Sequence, residues 1–279
     1  MKLLIVGHGF VGKAVDYGFT HSEVEKTIID PKYNNSINDI VISNYDATFV
    51  CVPTPMKADG SIDSTILDTV MDQLNSQYRP RTHKIIIKST VTPDIINRHA
   101  SDGVVYNPEF LREKTALEDF VNPDFHVFGG LNWDTIAVEE LYRKYSSCKI
   151  CPTFHVSYKE ASLIKYAINS FLSLKVVFFN QLFDVAQESG ASFNKIIKAL
   201  DAEPRIGNSH MRVPGFDSKR GFGGACFPKD TAALIAFTNK MTLLEKAVSI
   251  NNEYRSQYEL DAREQEQNIF FSTDKKDKP

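Results

Sequence analysis

The apolar run KLLIV at residues 2–6 is followed at once by Gly7-His8-Gly9-Phe10-Val11-Gly12, and no other stretch restricts the fold as much. The run reads as a short β-strand, and residues 10–19 follow with helical apolar spacing, so the glycines occupy a strand–turn–helix junction. At such a junction the first glycine makes the turn, the second lets backbone approach a diphosphate, and the third lets helix pack on strand. The helix end adds N–H groups and a partial positive charge for the anion. Gly7, Gly9, Phe10, Val11 and Gly12 are therefore the candidate diphosphate-binding residues. A second β-prone run, 26–30, ends on Asp30. A carboxylate there accepts hydrogen bonds from ribose hydroxyls and repels a 2′-phosphate. The expected cofactor is NAD rather than NADP, a preference that Lys32 close by weakens.

Further strands are expected at 46–52 and 84–88 with helical stretches between, and this alternation implies an α/β Rossmann-type fold with a doubly wound parallel sheet. After Tyr158 the texture changes. About thirty residues pass without proline or glycine, which reads as one long helix. The expected organisation is an NAD-binding Rossmann domain over residues 1–155 and a helical dimerisation and catalytic domain, built on the long central helix, over 156–260. The closing STDKKDKP is charged and lacks apolar anchors, so residues 261–279 are expected to form a disordered tail. A helix of that length extends ~45 Å, more than the rest of one chain can cover, and a homodimer through it is expected.

The 279 residues are 42% hydrophobic and 24% charged, with a formal net charge of -3. No basic field attracts a polyanion, so nucleic acid is not an expected partner. No apolar run approaches the ~20 residues of a bilayer span, and the opening residues do not read as a cleaved leader, so no membrane is expected and the location expected is cytoplasmic. The four cysteines, Cys51, Cys148, Cys151 and Cys226, are expected to be free thiols. Cys148 and Cys151 form a CxxC pair without the further ligands or context that zinc or redox chemistry needs. The seven histidines show no metal-ligand spacing, and no metal is expected.

A second chemical signal lies at residues 221–231, GFGGACFPKDT. Glycines around one cysteine suit close ligand approach, and Lys229 nearby suits an activated thiol. A lone buried cysteine would also fit. Lys165 and Asn169 are spaced one helical turn apart and share a face of the long helix.

Four further segments widen the pattern: VPTP at 52–55, KSTVTP at 88–93, NPEFLRE at 107–113 and EASLIKYAIN at 160–169. With GHGFVG and GFGGACFPKD, in this order, they resemble the nucleotide-sugar 6-dehydrogenases, the UDP-glucose-oxidising branch most of all, from Met1 to about Tyr254. The resemblance implies a four-electron oxidation of a sugar CH₂OH to a carboxylate by two successive molecules of NAD, as in UDP-glucuronate formation for polysaccharide biosynthesis. Cys226 is implied as the nucleophile that captures the aldehyde as a thiohemiacetal and then carries a thioester. Lys165 would stabilise the developing oxyanion, and Asn169 with Asp230 would position water or the sugar hydroxyl. Glu109 matches the general base for hydrolysis, with Thr90 beside it. Thr54, Thr90, Glu113 and Lys229 match cofactor-side positions. Glu109, Phe110, Leu111, Arg112, Glu113, Lys165 and Asn169 match sugar-side ones.

The stretch HMRVPGFDSKRGFGG resembles the family's substrate loop, which makes Gly215, Phe216, Asp217, Ser218, Lys219 and Gly223 candidates for holding the nucleotide sugar. Arg212, Lys219 and Arg220 are candidates for its phosphates. The family usually continues into a further nucleotide-clamping domain that this sequence does not show, so weak substrate affinity is expected. Two other readings stand beside this one: a 3-hydroxyacid dehydrogenase, which needs a lysine but no thiol, and a catalytically weak NAD-binding remnant.

Overall fold

The computed structural model describes residues 1–77 and 81–272. In chain order the elements are β1 (Lys2–Val6), α1 (Phe10–Gly18), β2 (Glu25–Ile29), β3 (Ala47–Val50), α2 (Thr65–Ser76), β4 (Lys84–Ile87) and α3 (Pro93–Arg98). They continue with β5 (Val104–Tyr106), α4 (Ala116–Val121), β6 (His126–Gly130), α5 (Asn132–Tyr145), β7 (Thr153–Val156) and α6 (Tyr158–Glu188). The last are α7 (Phe193–Asp201), α8 (Phe227–Phe237), α9 (Thr242–Arg255) and α10 (Ala262–Glu266). Two compact units result. The first is Met1–Thr54 with Asp63–Lys165, and the second is Pro55–Ile62 with the described residues from Tyr166 onward. The division falls within α6, after Lys165, rather than at residue 155.

In the first unit seven strands form one sheet in the order β2-β1-β3-β4-β5-β6-β7. All neighbours are parallel except β5 and β6. β1 lies between β2 and β3, so the chain reverses its direction of travel across the sheet there, and ligands bind beyond the carboxyl ends of strands at such a switch point. Leu3, Ile5, Phe49 and Ile86 are fully buried, as near-continuous apolar strands of a two-sided sheet require. Against them pack Phe19, Phe120, Phe128 and Tyr142, with ring centroids 5.1 Å apart for Phe19 and Phe49 and 5.2 Å apart for Phe19 and Tyr142.

The second unit is helical. Phe179, Ala186, Phe193 and Met211 form one core, and Val177, Phe222 and Ala247 another. Two expectations are corrected here. Residues 261–272 are not a loose tail: Asp261 and Glu264 form a reciprocal capping box on α10, Glu264 is fully buried, and Ile269 packs with Met56 and Ala232. Two apolar or capping anchors in a charged segment offset its ordering entropy. Residues 273–279 lie outside the described residues. In addition α6, at 31 residues, is by length and composition apolar enough to span a bilayer, contrary to the expectation that no run comes near it. Its buried positions include Ser162, Lys165, Asn169, Ser173 and Asn180, polar groups that hydrogen-bond to protein rather than face hydrocarbon.

Candidate active site

The glycine loop in the first unit has the shape its sequence requires. Gly7 takes φ +87, and a Cβ there would meet the carbonyl oxygen of Cys51 at 2.6 Å. A Cβ on Gly12 would lie 1.9 Å from the carbonyl oxygen of Gly7, whereas one on Gly9 would meet nothing within 4 Å. The third glycine is thus committed to packing α1 on β1, and the second faces open space. The ladder of α1 begins with Lys13 N–H donating to Gly9 O at 3.1 Å, so the amides of Val11 and Gly12 precede it. No acidic side chain lies in this first turn, and among the described residues no side-chain bond caps it. Open backbone at the positive end of a helix is an anion cradle that a dinucleotide's diphosphate fits.

Asp30, at the end of β2, accepts from His8 N–H at 2.6 Å and from Lys32 N–H at 3.0 Å. Burial opposes its charge, but these N–H groups and the Lys32 ammonium hold the carboxyl below its ordinary value. Lys32 reaches back to the carbonyl of His8 and stands 3.9 Å from Asp30. His8 was not a sequence candidate. Its ring bridges Tyr33 Oη at 2.8 Å and Asp16 Oδ2 at 3.2 Å, fastening the turn after β2 to α1. A charged carboxylate held in place there is the kind of group that accepts from the ribose hydroxyls of NAD.

At the carboxyl ends of β3 and β4, Thr54 Oγ1 donates to the carbonyl of Thr90 at 2.9 Å and Ser89 Oγ to that of Val52 at 2.7 Å. Past β5, Glu109 is buried. Its Oε2 accepts from Leu111 N–H at 2.7 Å, and its Oε1 lies 3.3 Å from Lys165 Nζ. Lys165 is buried too and sits over the Phe110 ring at 5.4 Å. Phe110 packs on Phe125 with centroids 4.9 Å apart, and Leu111 joins the sheet core. Arg112 is exposed and committed to Asp119, with Nη2 2.6 Å from Oδ1. Glu113 is exposed. The structure therefore joins Glu109 to Lys165, and turns Arg112 to a surface pair.

The same unit holds a buried polar group that no motif marks. Asn107 Oδ1 accepts from Lys88 Nζ at 2.8 Å and from Tyr142 Oη at 2.7 Å, while Asn107 Nδ2 donates to Val127 O at 2.9 Å. A buried lysine looks like any surface lysine in a sequence.

The second unit holds the other candidates. Asn169 Nδ2 donates to Asp230 Oδ2 at 2.6 Å, and Lys229 Nζ to Asp230 Oδ1 at 2.6 Å, all three buried. Lys229 is thereby committed to Asp230. Cys226 is half-buried at the N-cap of α8, the helix end that carries partial positive charge. The other thiols are poor nucleophiles: burial pushes Cys51 up to about 12 and raises Cys148 and Cys151. None of the four cysteines is in a disulfide.

In the loop before Cys226, Gly215 N–H donates to Lys219 O at 2.9 Å and Lys219 N–H to Asp217 Oδ1 at 3.0 Å. Ser218 takes φ +63. Phe216 is 73% exposed, with the Arg212 guanidinium 4.9 Å from its ring. Lys219 Nζ donates to Glu259 O at 2.6 Å. Arg220 donates to Asn180 and to Asp184, and so braces the loop. A Cβ on Gly223 would strike the Arg255 guanidinium at 2.1 Å.

Comparison with known proteins gives the family. Residues 32–146 match the NAD binding domain of the UDP-glucose/GDP-mannose dehydrogenase family and residues 159–253 its central domain. The glycine loop precedes the first match and stands on its own shape. The UDP-glucose 6-dehydrogenase of Haloferax volcanii is 30% identical over 305 residues, covering 90% of this chain and 70% of that protein. That of Rickettsia conorii is 36% identical over 212 residues, covering 73% of this chain and 47% of that protein. The UDP-glucose dehydrogenase structure from Pyrobaculum islandicum aligns with a TM-score of 0.75 at 27% identity, over 90% of this chain and 68% of that one. The chain thus spans 70% of one curated relative and about half of the other. With both domain matches in order, this chain belongs to the UDP-glucose/GDP-mannose dehydrogenase family.

Proposed function

We propose that the chain oxidises the CH₂OH of a nucleotide sugar to a carboxylate, UDP-glucose to UDP-glucuronate being the reaction the relatives favour. The observation that carries the reading is the buried Glu109–Lys165 pair, a carboxylate and an ammonium kept from solvent at positions the family resemblance gives to base and oxyanion stabiliser. Bound NAD supplies the hydride acceptor, twice per turnover, and the residues that would hold it are those of the 7–12 loop with Asp30.

The chain's own residues then divide the work. Asn169 and Asp230 hold the sugar hydroxyl, and Lys165 stabilises the oxygen as its proton passes to water and a hydride leaves the carbon, which gives the aldehyde. The aldehyde carries no readily removed hydride until a nucleophile adds, so Cys226 Sγ bonds to the carbonyl carbon and the oxygen takes the proton. That thiohemiacetal gives up a hydride from carbon and the proton of its hydroxyl to water, which leaves a thioester on Cys226. Glu109 takes a proton from water, which attacks the thioester carbon, and the carboxylate leaves as Cys226 regains its thiol. A homodimer through α6 belongs to the same reading.

Stoichiometry tests it. Two NADH should form per nucleotide sugar consumed, with the acid identified by mass, and Cys226→Ser should stop at the aldehyde level. One NADH per substrate, or undiminished acid from Cys226→Ser, would move the chain to two-electron chemistry of the 3-hydroxyacid type.

A further inference from the structure

α9 and α10 hold the loop that carries Cys226, through residues that no motif marked. Asn251 accepts from Phe222 N–H at 2.6 Å and donates to Phe222 O at 3.0 Å. One turn later on α9, Arg255 is 1% exposed and divides its guanidinium between two carboxylates. Nη1 donates to Asp217 Oδ2 at 2.6 Å and Nη2 to Glu264 Oε1 at 2.7 Å. Glu264, fully buried, uses the same Oε1 to accept from Gly224 N–H at 2.9 Å. Gly224 takes φ +78, and Cys226 follows two residues on. Asp217 belongs to the candidate substrate loop, so a single guanidinium ties that loop to the cysteine loop. Arg255 and Glu264 both lie past residue 253, where the family's central-domain match ends.

A buried ion pair is costly to desolvate, and apolar residues of similar size often stabilise a core as well or better. Stability is therefore a weak reason for the pair. Its geometry gives a stronger one. Guanidinium is a planar fork that fixes two acceptors at once, which lysine cannot do, and charged bonds to a backbone amide are about twice as strong as neutral ones.

We propose that Arg255 and Glu264 are positioning residues for Cys226, setting the thiol for addition to the aldehyde. The inference rests on the reading of Cys226 as nucleophile. The first oxidation needs no thiol and the second does, so a misplaced cysteine slows only the second.

The test follows NADH release in single-turnover mixing of the chain with UDP-glucose and NAD, for the unmodified protein, Glu264→Gln and Arg255→Lys. With UDP-glucose saturating, both variants should release the first NADH at the unmodified rate and the second at least tenfold more slowly, with aldehyde trapped by hydroxylamine. Asp217→Asn should instead raise KM for the sugar nucleotide. Amide hydrogen exchange gives a readout free of turnover: the 223–225 segment should exchange about tenfold faster in Glu264→Gln, while α6 stays as protected as before. Equal slowing of both oxidations, or unchanged exchange together with unchanged second-step kinetics, overturns the proposal. If the unmodified chain itself yields one NADH per sugar, the covalent reading fails, and the exchange result then decides alone whether the pair fixes the loop.

Discussion

Lys88 shows what a single buried charge does in this protein. Desolvation lowers its ammonium to about 8 from an ordinary 10.5, despite nearby Cys51 and Glu109, which favour the charge. The unfolded chain therefore binds a proton that the folded chain has lost between those two values, and unfolding free energy rises with pH across that window. Below about pH 8 the folded protein carries the charge at a cost of ~3 kcal/mol, from ~1.4 kcal/mol per pKa unit. Lys88→Met removes that cost and one hydrogen bond to Asn107, worth ~1 kcal/mol, while Tyr142 still donates to Asn107. The variant should be more stable than the parent at pH 7 by ~1 to 2 kcal/mol, and the gap should close or reverse by pH 10. Urea midpoints at four pH values would show it, and a gap that does not change with pH would mean that Lys88 is not desolvated. None of this is visible in KSTVTP itself, because a sequence shows that a residue is charged and not whether water reaches it.

At the scale of elements, the strand–loop–helix junction was readable to the residue and much of the rest was not. β1 occupies the residues its apolar run indicates, because four buried apolar side chains, Leu3 to Val6, bounded by glycine have few other uses. β5 has three residues, too few to show a period. β6 ends in Gly129 and Gly130, which look like a turn, yet a Cβ on Gly129 would press on the Ala161 side chain at 2.6 Å, so the glycine lets α6 close on the sheet. α10 was hidden by its charge: Glu264 reads as tail and is buried, because its partner Arg255 is nine residues back on another helix. Among the candidate site residues, the glycines and Asp30 follow from the strand–turn–helix pattern and Lys165 with Asn169 from helical spacing, whereas Asp230 rests on the family resemblance. His8, Asn107 and Arg255 act by holding neighbours, which leaves no pattern. The junction itself makes a paired prediction. Gly12→Ala should destabilise the fold by several kcal/mol, since its methyl would overlap backbone that cannot move aside. Gly9→Ala should keep the parent's melting temperature and lose at least tenfold in NAD affinity by fluorescence titration, about 1.4 kcal/mol. A Gly9→Ala variant that binds NAD as well as the parent would show that no ligand approaches that backbone.

For the molecule as a whole, the outward face of α6 sets the strongest expectation. Phe171, Phe178 and Val185 are 65%, 58% and 58% exposed, and each follows the last by seven residues, two helical turns. They therefore form one stripe along the helix. Scattered exposed apolar residues are ordinary, but a continuous row of large ones marks a surface that another chain covers. A helix of 31 residues extends ~46 Å at 1.5 Å per residue, long enough for an isologous contact in which the same stripe meets its copy about a two-fold axis. At micromolar concentration sedimentation should report twice the 31.5 kDa chain mass. Phe171→Glu with Phe178→Glu places four like charges in that contact, two from each chain, and should give the single-chain mass with helix content retained. Because dimer and monomer exchange by mass action, the parent's melting temperature should also rise with protein concentration and the double variant's should not. A parent that sediments as one chain at every concentration would leave the stripe without its partner and remove the dimer from the reading.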